Sequence, residues 1–177
     1  GSTDWDANNW CWNYFGNALG DPLYRGIRWY EVTNPTTDLN NAMYAVFWDA
    51  LSSGPPETFK TVDLNSDILV RGLHFRNEGW NIQDADHANT LTLISGSSFP
   101  SGSVSYDDRQ AITMDTGSQA TISANVVLGA FVNSSETSNG INQYIAMGAH
   151  SALTISGNIS ETGAAKILTV GATLYPA

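Results

Sequence analysis

Asp107-Asp108-Arg109 is the densest cluster of ionisable groups that could do chemistry. Two carboxylates serve as acid and base across a glycosidic bond when they stand roughly 5 to 9.5 Å apart. A neighbouring arginine would complete the ingredients of a polysaccharide lyase or glycoside hydrolase. Consecutive residues on a strand point to opposite faces, however, so Asp107 and Asp108 would diverge there. The plainer account is a charged stretch between a Ser/Gly turn and a strand. From residue 111 onward the only charges are Asp115, Glu136, Glu161 and Lys166, a thin supply for proton transfer.

Metal ligation has one candidate segment. Asp84, Asp86 and Asn89 could offer oxygens to Ca²⁺ in the loop after Ile82. A turn rich in Asp and Asn is the competing account. His74, His87 and His150 are scattered and do not suggest zinc, which needs three or four convergent ligands. His74 alternates with Leu73 and Phe75 and should point away from the face those two share. Cys11 is the only cysteine, so no internal disulfide can form; between Trp10 and Trp12 it reads as a small buried hydrophobe. No cofactor is expected, Ca²⁺ being the one ion left open.

Aromatic residues supply a third chemistry. Sugar rings stack their C–H faces on tryptophan and tyrosine. Trp5, Trp10, Trp12, Trp29, Tyr30, Trp48 and Trp80 provide the material, and Trp10 and Trp12 would share one face of an extended chain. Trp10, Trp12, Trp29, Tyr30 and Trp48 are the candidates for a glycan site. Their large apolar areas would equally serve a buried cap.

The elements that must carry these residues are visible in an internal repeat. Ile112–Val126 reads ITMDTGSQATISANV and Ile145–Ile159 reads IAMGAHSALTISGNI, without a gap, 33 residues apart. Ile112, Met114, Ala120, Ile122, Ala124 and Val126 alternate with small polar residues, as do Ile145, Met147, Leu153, Ile155, Gly157 and Ile159. Period two marks strands with one buried face, and the small residues TGSQ and AHS suit corners. Two short strands joined by a corner, repeated, predict a rung of a parallel β-solenoid. Earlier pairs with the same alternation are Val62 and Leu64, Ile68 and Val70, Leu73 and Phe75, Trp80 and Ile82, Leu91 and Leu93.

Five of the six tryptophans fall in the first 48 residues. The expected organisation is one structural domain: an irregular aromatic N-terminal cap over 1–56, then β-helix rungs over 57–177 with a polar loop insertion near 130–142. A stack of rungs needs its first rung covered, which is the task given to the cap.

Charge limits the partners. Seven basic and seventeen acidic residues leave a net charge of -10 in 177 residues. Nucleic acid is not expected as a partner, since phosphate contacts need basic patches. No apolar run reaches the ~18 residues of a membrane span, so no membrane insertion by this chain is expected.

Several segments together resemble the autotransporter-associated β-strand-repeat family of bacterial surface proteins. They are the opening TDWDANNW, Ala45-Val46-Phe47, Val70-Arg71-Gly72-Leu73-His74-Phe75, Gly79-Trp80-Asn81-Ile82, Thr90–Leu93 and the LTISGNISE of Leu153–Glu161. The family's next rung is matched only loosely, at Lys166–Leu174. The resemblance implies a right-handed parallel β-helix in a secreted or surface-displayed passenger region. Its function would be non-enzymatic and adhesin-like, with glycans or other surface proteins as partners. End-to-end self-association is a separate expectation from the residues, since the last rung near Leu174 has no evident cap. A carbohydrate-binding module and a polysaccharide-degrading enzyme are the alternatives.

Overall fold

The computed structural model describes residues 10–11, 25–27, 44–47, 60–70, 72–76, 78–94, 110–129, 142–163 and 165–172. These residues are all-β, with no helix among them. Strands β1 (Trp10–Cys11) and β2 (Arg25–Ile27) form an antiparallel pair. All later strands pair in parallel and visit three sheets in strict rotation. The first turn is β3 (Tyr44–Phe47), β4 (Thr61–Asp63) and β5 (Ile68–Val70). The second is β6 (Gly72–Phe75), β7 (Glu78–Gln83) and β8 (Thr90–Leu93). β9 (Gln110–Met114), β10 (Gln119–Ile122) and β11 (Asn125–Leu128) make the third. β12 (Asn142–Met147), β13 (Ala152–Ile155) and β14 (Ile159–Glu161) make the fourth, and β15 (Ile167–Ala172) follows.

Each strand therefore lies beside the strand three places earlier. One sheet runs β3-β6-β9-β12-β15, the second β4-β7-β10-β13, the third β5-β8-β11-β14. Stacked parallel sheets of this kind are compatible with a β-solenoid. Among the described residues the stack begins at Tyr44, inside the segment assigned to the cap, because Tyr44–Phe47 pairs in register with Gly72–Phe75. Asn142, at the far end of the expected insertion, opens β12.

Register explains the core. Alternate side chains of each strand face inward and line up with their counterparts one turn away. Ala45, Leu73, Ile112, Ile145 and Val170 form one such column. Val62, Ile82, Ile122 and Ile155 form another, and Ile68, Leu91, Val126 and Ile159 a third. Leu73, Ile82, Leu91 and Phe75 are wholly buried. Phe47 stacks on Phe75 with ring centroids 4.8 Å apart.

The repeat holds three strands per turn rather than the two expected. Ala120, Ile122, Ala124 and Val126 keep alternating inward straight through the bend between β10 and β11. There the amides of Ser123 and Ala124 both point at the carbonyl of Ile82, at 2.8 and 3.4 Å. One turn later, Ser156 and Gly157 treat the Ile122 carbonyl the same way. The corner costs the strand pattern nothing in sequence, so it leaves no break in the alternation.

Candidate functional site

The outward residues stack as regularly as the inward ones. On the second sheet, Thr61, Asn81, Thr121 and Thr154 occupy one column. Beside it the Gln83 amide donates to Asp63 Oδ1, and Asn81 Nδ2 donates to Gln83 Oε1 at 2.9 Å. Three side chains from two turns thus share one chain of hydrogen bonds. At the edge of the third sheet, Asp67 Oδ1 accepts from the backbone N–H and the hydroxyl of Thr90, at 2.8 and 3.0 Å. The outer surface of the second sheet consists largely of hydroxyl, amide and carboxylate groups at strand spacing, about 4.8 Å, whereas the outward column of the third sheet alternates Leu69 and Val127 with Thr92 and Ser160.

The first sheet carries a tighter cluster. His74 faces outward from β6, as its alternation with Leu73 and Phe75 requires, yet it is only 7% exposed. Its Nε2 donates to Asp115 Oδ1 at 2.7 Å, and Arg76 Nε donates to Asp115 Oδ2 at 3.1 Å. Asp115 sits at the corner that follows β9, so it fastens two residues of the turn below. Thr113 stands next to His74 in register and gives its hydroxyl hydrogen to Gln110 Oε1 at 3.0 Å. His74 and Arg76 are thus held by Asp115, and Thr113 by Gln110. The His74–Asp115–Arg76 contacts orient these side chains and tie adjacent turns together.

Of the predicted site residues the structure describes Asp84, Asp86, Asn89 and the strand position of Trp10. Asp84 and Asn89 do come together. Asp84 is 3% exposed, its Oδ2 accepts the Asn89 N–H at 2.7 Å, and Asn89 Nδ2 donates to the Leu64 carbonyl at 3.2 Å. The carboxylate thus organises the turn before β8, and the Asn89 amide that it holds links that turn to the one below. Asp86 is exposed on the same loop, and no hydrogen bond joins it to this pair. Among the described residues no three His, Cys, Asp or Glu side chains converge as a metal site.

Asp107, Asp108 and Arg109 lie outside the described residues, as do Trp12, Trp29, Tyr30 and Trp48. Trp10 lies on β1, opposite Ile27. Trp80, part of the aromatic material for sugar stacking, packs instead against the core, its ring 5.3 Å from that of Phe47.

A second surface is the edge formed by β13, β14 and β15. Among the described residues the inward columns end there. Ile159 is 48% exposed and Val170 is 64% exposed, although the residues below them, Val126 and Ile145, are buried. At the opposite end the same columns begin with buried residues, Ile68 and Ala45. The two ends of the stack are therefore unlike. The sequence signal was present in the apolar run Ile167-Leu168-Thr169-Val170, but only the pairing of β15 with β12 shows which of these residues cap a column.

No family model, no curated protein and no solved structure matches this chain.

Proposed function

We propose that this chain is a non-enzymatic structural module of the bacterial cell surface, a right-handed parallel β-helix of the autotransporter-associated type. The reading rests on one observation above the others. Three parallel sheets stack in register, with apolar columns inside and a hydroxyl–amide column, Thr61, Asn81, Thr121 and Thr154, outside. Such a stack is a stiff rod whose outer faces grow with each added rung. Rods of this kind suit display and contact rather than closure around a substrate. The right hand follows from the general preference of crossovers between parallel strands. The burial of Ala45, Phe47, Leu64 and Ile68 supports a cap over the first turn. The net charge of -10 favours neutral glycans or surface proteins over polyanions as contacts.

Carbohydrate binding is the second reading, favoured by the linked side chains of Asp63, Gln83 and Asn81 beside that column. Groups of this kind match sugar hydroxyls in both donor and acceptor capacity.

The test is affinity electrophoresis through neutral and acidic polysaccharides, with and without Ca²⁺, together with end-group analysis of the polymer. Retardation without shortening, lost in Thr121→Arg, supports surface contact with glycans. Release of new reducing or unsaturated ends overturns the non-enzymatic reading.

A further inference from the structure

We propose that Thr113 and Gln110 join covalently in the folded chain. The threonine hydroxyl attacks the glutamine side-chain amide, an ester forms and ammonia leaves. The proposal stands apart from the surface-module reading and concerns the outward face of the first sheet.

The two reacting groups are already side by side. The Thr113 hydroxyl donates to Gln110 Oε1 at 3.0 Å. A carbonyl bond is about 1.23 Å long, so the hydroxyl oxygen stands at most about 4.2 Å from the carbon it attacks. A regular strand would not bring them together, because residues an odd number of places apart face opposite sides. The register of β9 against β12 slips at this point: Tyr144 pairs with Gln110, but Ile145 pairs with Ile112. One extra residue is thereby held in β9, a bulge of the kind that re-aims a side chain beside a reactive site.

The next strand supplies a base. His74 is the register partner of Thr113, so the two side chains leave the same face at the strand spacing of about 4.8 Å. His74 Nε2 donates to Asp115 Oδ1 at 2.7 Å, which leaves the lone pair of the ring on Nδ1. A hydroxyl, a histidine in the accepting tautomer and a carboxylate that orients it are the parts that activate a weak nucleophile. Asp115 is the positioning residue of the three. Burial protects the product: Thr113 and His74 are each 7% exposed and Gln110 is 3% exposed. Water that would hydrolyse the ester is kept away from it.

The step balances without a further reactant. His74 Nδ1 takes the hydroxyl proton as Thr113 Oγ1 bonds to Cδ of Gln110. The bond from Cδ to the amide nitrogen breaks, the same proton passes to that nitrogen, and ammonia departs. One C–O bond replaces one C–N bond, and escape of ammonia draws the reaction forward. The ester closes a ring across the bulge and fixes β9 where its register with β12 slips.

Intact-mass spectrometry of the unaltered full chain tests this. The protein should be lighter than its sequence by one ammonia, about 17 Da. Tandem spectra should place the loss in a peptide whose Gln110 and Thr113 are linked. Opening that peptide with alkali should leave a carboxyl group where the Gln110 amide stood. Thr113→Val should show the full mass, and Thr113→Ser should keep the loss. In freshly made protein, His74→Gln should form the link at least ~100-fold more slowly, the usual effect of losing a positioned base. The first reading needs no variant, so a variant that misfolds does not decide the question. Unaltered protein that stays at its full mass through long incubation at neutral pH would overturn the proposal. So would a loss of ammonia that persists in Thr113→Val, since its source would lie elsewhere. A link that forms at an unchanged rate in His74→Gln would overturn the part given to the histidine.

Discussion

Asp115 accepts a 2.7 Å hydrogen bond from His74, which precedes it by 41 residues and lies one turn below it in the stack. With Arg76 on its other oxygen, at 3.1 Å, this carboxylate is a clamp between successive turns. A charge-assisted hydrogen bond is worth about 1.5–3 kcal/mol when shielded from water, less when exposed. The Asp115 side chain is 32% exposed, so Asp115→Asn should cost about 1–2 kcal/mol. A double-mutant cycle with His74→Gln should give a coupling of about 0.5 kcal/mol or more in urea unfolding. Additive losses would show that the contact contributes nothing of its own.

The corners of the repeat predict a pair of opposite effects. Gly117 has φ of +76° at its corner, and His150 holds the matching place one turn later with φ of +60°. Both corners close alike: the Ser118 hydroxyl donates to the Asp115 carbonyl and the Ser151 hydroxyl to that of Gly148, each at 2.7 Å. The left-handed conformation costs a side-chain-bearing residue roughly 1–2 kcal/mol. No atom lies within 4 Å of a Cβ added at Gly117, so Gly117→Ala should lose only that amount. His150→Gly should gain slightly less, since glycine also loosens the unfolded chain. Paired thermal melts check both signs.

Gly157 is held for a different reason. A Cβ there would stand against the carbonyl oxygen of Ala124, which belongs to the backbone of the turn below and cannot swing aside. Gly157→Ala must push two turns apart at the bend between β13 and β14. The expected loss is about 3 kcal/mol or more, of the size seen when a packed site is overfilled. A loss no larger than that of Gly117→Ala would mean the corner yields more easily than its geometry implies.

The particular residues show what was legible before the structure. The offset of 33 between the two copies is the pairing itself: Thr121 lies beside Thr154, Ile122 beside Ile155, Val126 beside Ile159. Alternation sufficed because each strand has one buried face, and burial is what period two records. The number of strands per turn was not legible, since Ala124 keeps the inward rhythm through the bend. The clamp was hidden for another reason. Leu73 pairs with Ile112 but Ile112 with Ile145, offsets of 112 − 73 = 39 and 145 − 112 = 33, so His74 and Asp115 do not share the period of the later repeat. Asp84 and Asn89 were read as candidate ligands because the oxygens that bind Ca²⁺ are the same ones that cap a turn. In the structure the Asp84 oxygens accept from Asn89, and the Asn89 amide nitrogen in turn donates to the Leu64 carbonyl.

Gln143 is a polar side chain placed wholly inside the stack. Its Nε2 donates to the carbonyls of Leu93 and Gly129, at 3.1 and 2.9 Å, where the chain leaves β8 and β11. Its Oε1 is buried without a hydrogen-bond partner. Gln143→Leu would remove that orphan acceptor and take a donor from the Gly129 carbonyl, while the Leu93 carbonyl keeps the Gly129 N–H at 2.8 Å. One group is stranded as one is relieved, so the balance is set by the two hydrogen bonds lost, and a net loss of about 1 kcal/mol is expected in urea unfolding. A neutral or stabilising result would mean that the Gly129 carbonyl finds another donor.

Burial along a single column predicts how stability is distributed along the rod. Ile82, Ile122 and Ile155 stack in register on the second sheet. The first two are fully buried, whereas Ile155 at the open end is only partly so. Removing a buried isoleucine side chain costs its transfer energy plus that of the cavity, about 2–5 kcal/mol. Ile122→Ala, with neighbours above and below, should fall in the upper part of that range. Ile155→Ala leaves a gap that water already reaches, and about 1–2 kcal/mol is expected. The same gradient should appear in amide exchange at high dilution, with β15 opening first and β9 last. If the two isoleucines cost the same in dilute solution, the end of the column is covered there after all.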